Sequence, residues 1–151
     1  MRAVVQRVSQ ASLLIEGQEA GAMPSGLVVL LGIAQGDKHQ DADWLVRKIV
    51  QMRIFEDGKH RMNRSLLEVE GSLMCVSQFT LHASTRKGHR PSFFGAAQPE
   101  EAMPLYEYVL EKCANFVPQA RMLRGRFGAH MELSFTNDGP VTIILDSRDP
   151  E

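Results

Sequence analysis

Gly26-Leu27-Val28-Val29-Leu30-Leu31-Gly32 is an aliphatic run closed at each end by glycine. It is too short for a helix and shows no alternation, so it reads as a strand covered on both faces. A second stretch, Ser72-Leu73-Met74-Cys75-Val76-Ser77-Gln78-Phe79-Thr80-Leu81, puts Leu73, Cys75, Ser77, Phe79 and Leu81 on one face and Met74, Val76, Gln78 and Thr80 on the other. Both faces are again mostly apolar, and the polar end is where the strand would emerge into a site. Two such strands require a sheet with material on either side.

Outward from these, Val4 to Val8 and Ser12 to Ile15 read as strands, with Glu16-Gly17-Gln18 as a turn. Ala42, Leu45, Val46, Ile49 and Met52 recur at helical spacing, and Asp41 can cap that helix. Arg53-Ile54-Phe55-Glu56 looks like a strand ending at Asp57-Gly58. Residues 99 to 117 give a second helix through Ala102, Leu105, Tyr106, Val109, Leu110 and Cys113, which requires Pro104 in its first turn or a later start. Met131, Leu133 and Phe135 alternate with polar residues, and Val141 to Leu145 is a last apolar strand after the turn Asn137-Asp138-Gly139-Pro140. Helices inserted between groups of strands, without strict alternation, predict a mixed α/β fold. The expected architecture is a layered β/β/α single domain, with mixed or largely antiparallel, partly barrel-like sheets and two main helices on one side.

The chain of 151 residues suits one domain with a full core. That domain is expected over 1–146, with 147–151 a disordered tail. A composition of 44% hydrophobic and 23% charged residues is that of a globular protein and not of a disordered or membrane chain. The opening Met1-Arg2-Ala3-Val4-Val5-Gln6-Arg7 contains no signal-peptide core, and no apolar stretch approaches the ~20 residues of a membrane span, so a cytoplasmic protein is expected. A net charge of −1 removes any bulk field for nucleic acid or membrane, leaving only local patches. Cys75 and Cys113 stand far apart without a CxxC, and the five histidines lack ligand spacing, so neither a disulfide, a metal site nor a cofactor is expected.

The common catalytic signatures GxSxG, HExxH, the Walker loop and GxGxxG are absent. Ser77-Gln78-Phe79-Thr80 instead offers hydroxyls, an amide and backbone N–H groups at the end of a buried strand; capping of that strand end is the plain alternative. Read as a strand throughout, the stretch sends Ser77 and Thr80 to opposite faces, and no acid–histidine pair adjoins either. Backbone donors are therefore favoured over a side-chain nucleophile. Arg121, Arg124 and Arg126, with Arg86-Lys87-Gly88-His89-Arg90, can form a phosphate-binding surface or simply a solvated face. Gly125-Arg126-Phe127-Gly128 matches the GXXG clamp of a nucleic-acid-binding KH domain, but a strand pattern follows where that domain has a helix. Asp138-Gly139-Pro140 reads as a turn whose Gly-Pro isomer the sequence leaves open.

Taken together, Ser77-Gln78-Phe79-Thr80-Leu81, Arg86-Lys87-Gly88-His89-Arg90-Pro91-Ser92-Phe93 and Asn137-Asp138-Gly139-Pro140-Val141-Thr142 resemble D-aminoacyl-tRNA deacylases. Ala3-Val4-Val5-Gln6-Arg7-Val8 and the stretch from Arg53 to Asn63 resemble them too, in the same order along the chain. The resemblance implies a homodimer that hydrolyses the ester of D-aminoacyl-tRNA and of mischarged glycyl-tRNA and spares the L ester, without a cofactor. It places catalysis at Ser77, Gln78, Phe79 and Thr80, with help from the tRNA 2′-hydroxyl. Chiral selection falls to Gly139 and Pro140, as a cis Gly-Pro pair reaching the partner's site, with Arg7 bracing them and Met131 lining the pocket. Arg86, Lys87, Arg90, Arg124 and Arg126 become tRNA contacts. A non-catalytic RNA- or DNA-binding module, and a hydrolase with Ser77 or Thr80 as nucleophile, are the competing readings.

Overall fold

A computed structural model describes residues 1–150; the expected tail residue Glu151 lies outside them. The strands are β1 (Arg2–Ile15), β2 (Gln18–Met23), β3 (Gly26–Gly32), β4 (Phe55–Glu56), β5 (Met62–Arg64), β6 (Ser72–Ser77), β7 (Met122–Arg124) and β8 (Met131–Asp146), and the helices are α1 (His39–Gln51) and α2 (Pro99–Ala114). Six strands form one mixed sheet in the order β2-β1-β3-β6-β7, with β8 on the other edge of β1; β4 and β5 make a separate hairpin. β3, β6 and β7 run parallel, and β1 is antiparallel to β2, β3 and β8.

The long β1 sets this layout. Arg2 to Val8 pair with β3, whereas Ala11 to Ile15 pair with β2, so one edge carries two strands in succession. The sheet curls until β2 meets β7 and is nearly closed, barrel-like, as expected. Its two faces bury separate cores. Leu27, Val29, Leu31, Leu73 and Cys75 face the helices with Leu45, Ile49, Tyr106 and Leu110, and Val28, Met74 and Val76 face the inside of the curl with Val8 and Leu13. Leu27 to Leu31 and Leu73 to Val76 thus have the two apolar faces that their sequences indicate. Burial of each such large side chain contributes about 1.5–3 kcal/mol.

Gly26 is fixed by proximity: a Cβ there would lie 1.8 Å from the Ser72 carbonyl oxygen, so β3 and β6 can start side by side only without one.

Several expectations change. The two strands expected around Glu132 and Thr142 are one, because β1 runs beside β8 for its whole length; Asn137 to Val141 form a bulge opposite Arg7, with no chain reversal. α1 begins at His39, and Asp41 accepts the Lys38 N–H at 2.8 Å from inside the first turn and not from the cap position. Pro99 opens α2, Pro104 lies inside it, and the helix ends at Ala114 instead of 117. Two residues of the stretch expected as a tail make contacts: Ser147 N–H bonds the Met1 carbonyl at 2.9 Å, and Arg148 pairs with Asp37 at 2.8 Å.

Candidate active site at the end of β6

β6 stops at Ser77 because its partner stops. The Gln78 N–H takes the Leu31 carbonyl at 2.7 Å as the last rung beside β3, and Phe79 to His82 then wind into a 3-10 turn. The strand expected through Leu81 is therefore four residues shorter, and the alternation that separated Ser77 from Thr80 ends at Gln78. The Leu81 and Ala83 N–H groups bond back to Gln78 and Thr80, whereas the first N–H groups of such a turn have no acceptor within it. Gln78 Nε2 donates to Thr80 Oγ1 at 2.5 Å, tying the turn to the strand end. That contact fits the plain reading of this stretch, in which its polar side chains hold the strand end.

A cavity of about 560 Å³ opens at this turn. Ser77, Gln78 and Phe79 form one wall; Phe93, Ala96 and the start of α2 form another; Phe127 to Met131 and Leu133 form a third. Thr80 is exposed and does not line it. Phe79 is 56% exposed and meets Phe93 edge to face with ring centroids 5.1 Å apart.

The third wall is held by a residue that sequence reading counts only as core. Tyr106, fully buried on α2, places its hydroxyl 3.0 Å from the Cys75 carbonyl and 2.9 Å from the Gly125 carbonyl. Burial raises its pKa far above the usual phenol value, so it stays a donor and anchors the 125–130 loop to β6. A tyrosine at a helical core position signals such a need, because a buried hydroxyl requires a partner. Phe127 packs on the same ring, with centroids 6.0 Å apart. The GXXG sequence is thus a loop between β7 and β8, without helices at its sides.

The structure groups the other marked residues in separate places. Met131 lines the cavity, whereas Gly139 and Pro140, joined by a cis peptide bond, are exposed and do not. They sit above Arg7, which is 6% exposed and donates to the Ile54 carbonyl at 2.7 Å and the Asp138 carbonyl at 3.1 Å. Asn137 closes the bulge, donating to Gln6 Oε1 at 2.7 Å while its own oxygen accepts the Val141 N–H at 3.3 Å.

Arg86, Lys87 and Arg90 lie in an exposed loop pinched by the bridge between Ser84 and Ser92. Arg126 is exposed next to the cavity-lining Phe127, and Arg124 is half-buried on β7 within 3.4 Å of Gln119. Arg121, just before β7, lines a separate cavity with Ser25, Phe55 and Ser72 at the start of β6. Among the described residues no helix is long and apolar enough to cross a membrane. A shallower groove of about 790 Å³ between α1 and the end of β8 contains none of the marked residues.

Residues 4–146 match the model of the family described as D-Tyr-tRNA(Tyr) deacylase. Across 151 residues, 100% of both chains, the sequence is 53% identical to a protein of Akkermansia muciniphila named D-aminoacyl-tRNA deacylase. A solved structure described as c-Myc DNA Unwinding Element Binding Protein is similar with a TM-score of 0.91 and 39% identity, over 97% of this chain and 98% of that one. Another, described as a probable eukaryotic D-amino acid tRNA deacylase, has a TM-score of 0.80 at 18% identity over 95% and 97% of the two chains, a likeness of fold.

Proposed function

The chain belongs to the D-Tyr-tRNA(Tyr) deacylase family, and from that premise we propose that it hydrolyses the ester joining a D-amino acid to the 3′ end of tRNA, and likewise glycine mischarged on tRNA. The observation that carries this reading is the cavity at the end of β6, where Ser77, Gln78 and Phe79 meet Met131 beside the start of a 3-10 turn. Water adds to the ester carbonyl, the oxygen takes the negative charge, and collapse returns a proton to the departing ribose oxygen. The Phe79 N–H is the proposed donor to that oxyanion, with the Thr80 N–H next. A preorganised donor of this kind contributes about 3–4 kcal/mol to the transition state. An aminoacyl ester is already activated, so this suffices when the ribose 2′-hydroxyl of the tRNA helps to activate the water.

Discrimination would come from exclusion. In a homodimer, the exposed Gly139 and Pro140 of one subunit enter the cavity of the other, and their carbonyls hold the α-amino group so that an L side chain has no room. Arg7 supports this reading, because it fixes the Asp138 carbonyl from below. Glycine has no side chain to exclude and passes. Arg86, Lys87, Arg90, Arg124 and Arg126 are the proposed phosphate contacts, and the protein is expected to work in the cytoplasm without a cofactor.

Two other mechanisms are separable. A nucleophilic Thr80 predicts a trappable acyl-enzyme and near-complete loss on Thr80→Ala; a backbone donor survives that substitution, which removes only the bond from Gln78 Nε2, so the expected result is deacylation within about tenfold of wild type, the scale of one lost hydrogen bond. A binding module without turnover is favoured by the description of the 39% identical structure as a DNA-element binding protein. Incubation of D-tyrosyl-tRNA with purified protein decides: release of free D-tyrosine supports the deacylase, and tRNA retention with the ester intact supports the module.

A further inference from the structure

Beside the basic loop already proposed to contact phosphate stands an exposed aromatic residue, Phe94, that has no role in the cavity. Between Glu70 and Glu100 the sequence contains no acidic residue, while Arg86, Lys87 and Arg90 fall within it. The bonds that close this loop, Ser84 N–H to Ser92 at 2.7 Å and the reverse at 2.9 Å, bring the chain straight to two aromatic residues. Phe93 turns inward to the cavity wall. Phe94 turns outward and is 84% exposed, more than any other large apolar side chain. Its backbone is nevertheless fixed, since Gln35 Nε2 donates to the Phe94 carbonyl at 2.7 Å and the Gln35 N–H to the Gly95 carbonyl at 3.2 Å. A phenyl ring held in water on an anchored backbone, two residues from a loop of unpaired cations, has the composition of a single-strand nucleic-acid platform.

We propose that Phe94 stacks on a base of the single-stranded 3′ segment of tRNA, just before the terminal nucleoside, while Arg86, Lys87 and Arg90 hold the phosphates of that segment. The inference rests on the deacylase reading of the adjoining cavity. That cavity, about 560 Å³, has the scale of one small ligand, so the aminoacyl group and its own nucleoside fill it and the preceding nucleotides must leave over its rim. Phe93 lines the cavity, and the chain places Phe94 next to it and the basic loop just before it, so this is the side over which those nucleotides are proposed to pass. Every base has an apolar face, so stacking there gives affinity for any tRNA, and no carboxylate competes for the cations.

The test compares two substrates, D-tyrosyl-tRNA and the D-tyrosyl ester of adenosine alone, with wild type, Phe94→Ala and Phe94→Trp. Phe94→Ala is expected to raise KM for the tRNA substrate about tenfold or more, the size of one base–aromatic stack, with kcat retained. It should leave the adenosine ester unchanged, and Phe94→Trp should restore the tRNA KM. Equal loss on both substrates, no loss on either, or a changed sedimentation coefficient that shows Phe94 covered by a second copy would overturn the proposal. If wild type hydrolyses neither ester, the deacylase reading fails by itself. The Kd of wild type and Phe94→Ala for uncharged tRNA, with and without its 3′-terminal nucleotides, then decides the stacking role independently: a Phe94 effect confined to the intact end supports it, and equal effects refute it.

Discussion

Arg7 shows how little of a site a single residue declares. Within Gln6-Arg7-Val8 it reads as an arginine on a strand, and only the resemblance marks it. The structure buries its guanidinium under the β8 bulge, on carbonyls 47 and 131 residues away in sequence. Its ion pair with Asp138, 3.5 Å long and with that carboxylate 54% exposed, matters less than these bonds because water screens it. Replacing Arg7 with Met leaves the Ile54 carbonyl unpaired, and the expected cost is about 1–3 kcal/mol in urea denaturation. If the bulge selects the substrate's hand, the same variant should also hydrolyse L-tyrosyl-tRNA measurably. Gly139 is a second such residue. Its φ of +130° disfavours any side chain, and a Cβ would lie 2.8 Å from Val141 Cγ2 and 3.2 Å from Arg7 Nη2. Gly139→Ala is expected to lose about 1–3 kcal/mol and to narrow the ratio of D to L hydrolysis, read with matched tyrosyl-tRNAs; an unchanged ratio removes Gly139 from the selection.

At the scale of elements, the sequence showed which strands are buried and missed where they end. Leu27 to Leu31 and Leu73 to Val76 were legible because their apolar faces are a property of their own residues. Phe79, Thr80 and Leu81 suit a strand equally well, so the break at Gln78 had no local sign; it comes from the end of β3 at Gly32, a partner distant in sequence. The bulge at Asn137 to Val141 was hidden for the same reason, since Asn-Asp-Gly-Pro is a turn sequence and only the continuous β1 alongside keeps the chain extended. Two substitutions test these contacts. Tyr106→Phe leaves the Cys75 carbonyl its bond from the Gly125 N–H at 2.9 Å but orphans the Gly125 carbonyl, and should cost about 1–3 kcal/mol in urea while loosening the cavity wall. Gly26→Ala drives a methyl into the Ser72 carbonyl and should cost about 3 kcal/mol or more, visible as a large fall in Tm.

The whole molecule has its two cores back to back on one curled sheet, and both cysteines lie in the core under the helices. Burial pushes the Cys75 thiol up, and pushes the Cys113 thiol up to about 12. Both should resist a thiol reagent at pH 8 in the folded protein and react at once in urea. The linkage has a definite sign. Below the ordinary thiol value of 9.0 both states keep their protons and stability is unaffected; from 9.0 toward 12 the unfolded chain loses thiol protons that folded Cys113 keeps, so stability falls as pH rises. A Cys113→Ala variant should show a weaker fall over that range. At the same scale the domain, its layers and its deacylase family were legible, whereas the anchoring of Ser147 and Arg148 was not, because it depends on Asp37 and Met1 being brought to them.

The most direct measurement is the hydrolysis of matched D-tyrosyl-, L-tyrosyl- and glycyl-tRNA by purified, chelator-treated protein. Rapid loss of the D-tyrosyl and glycyl esters with the L-tyrosyl ester intact is the expected result. Equal hydrolysis of all three would contradict exclusion by Gly139 and Pro140, and hydrolysis of none would contradict the deacylase itself.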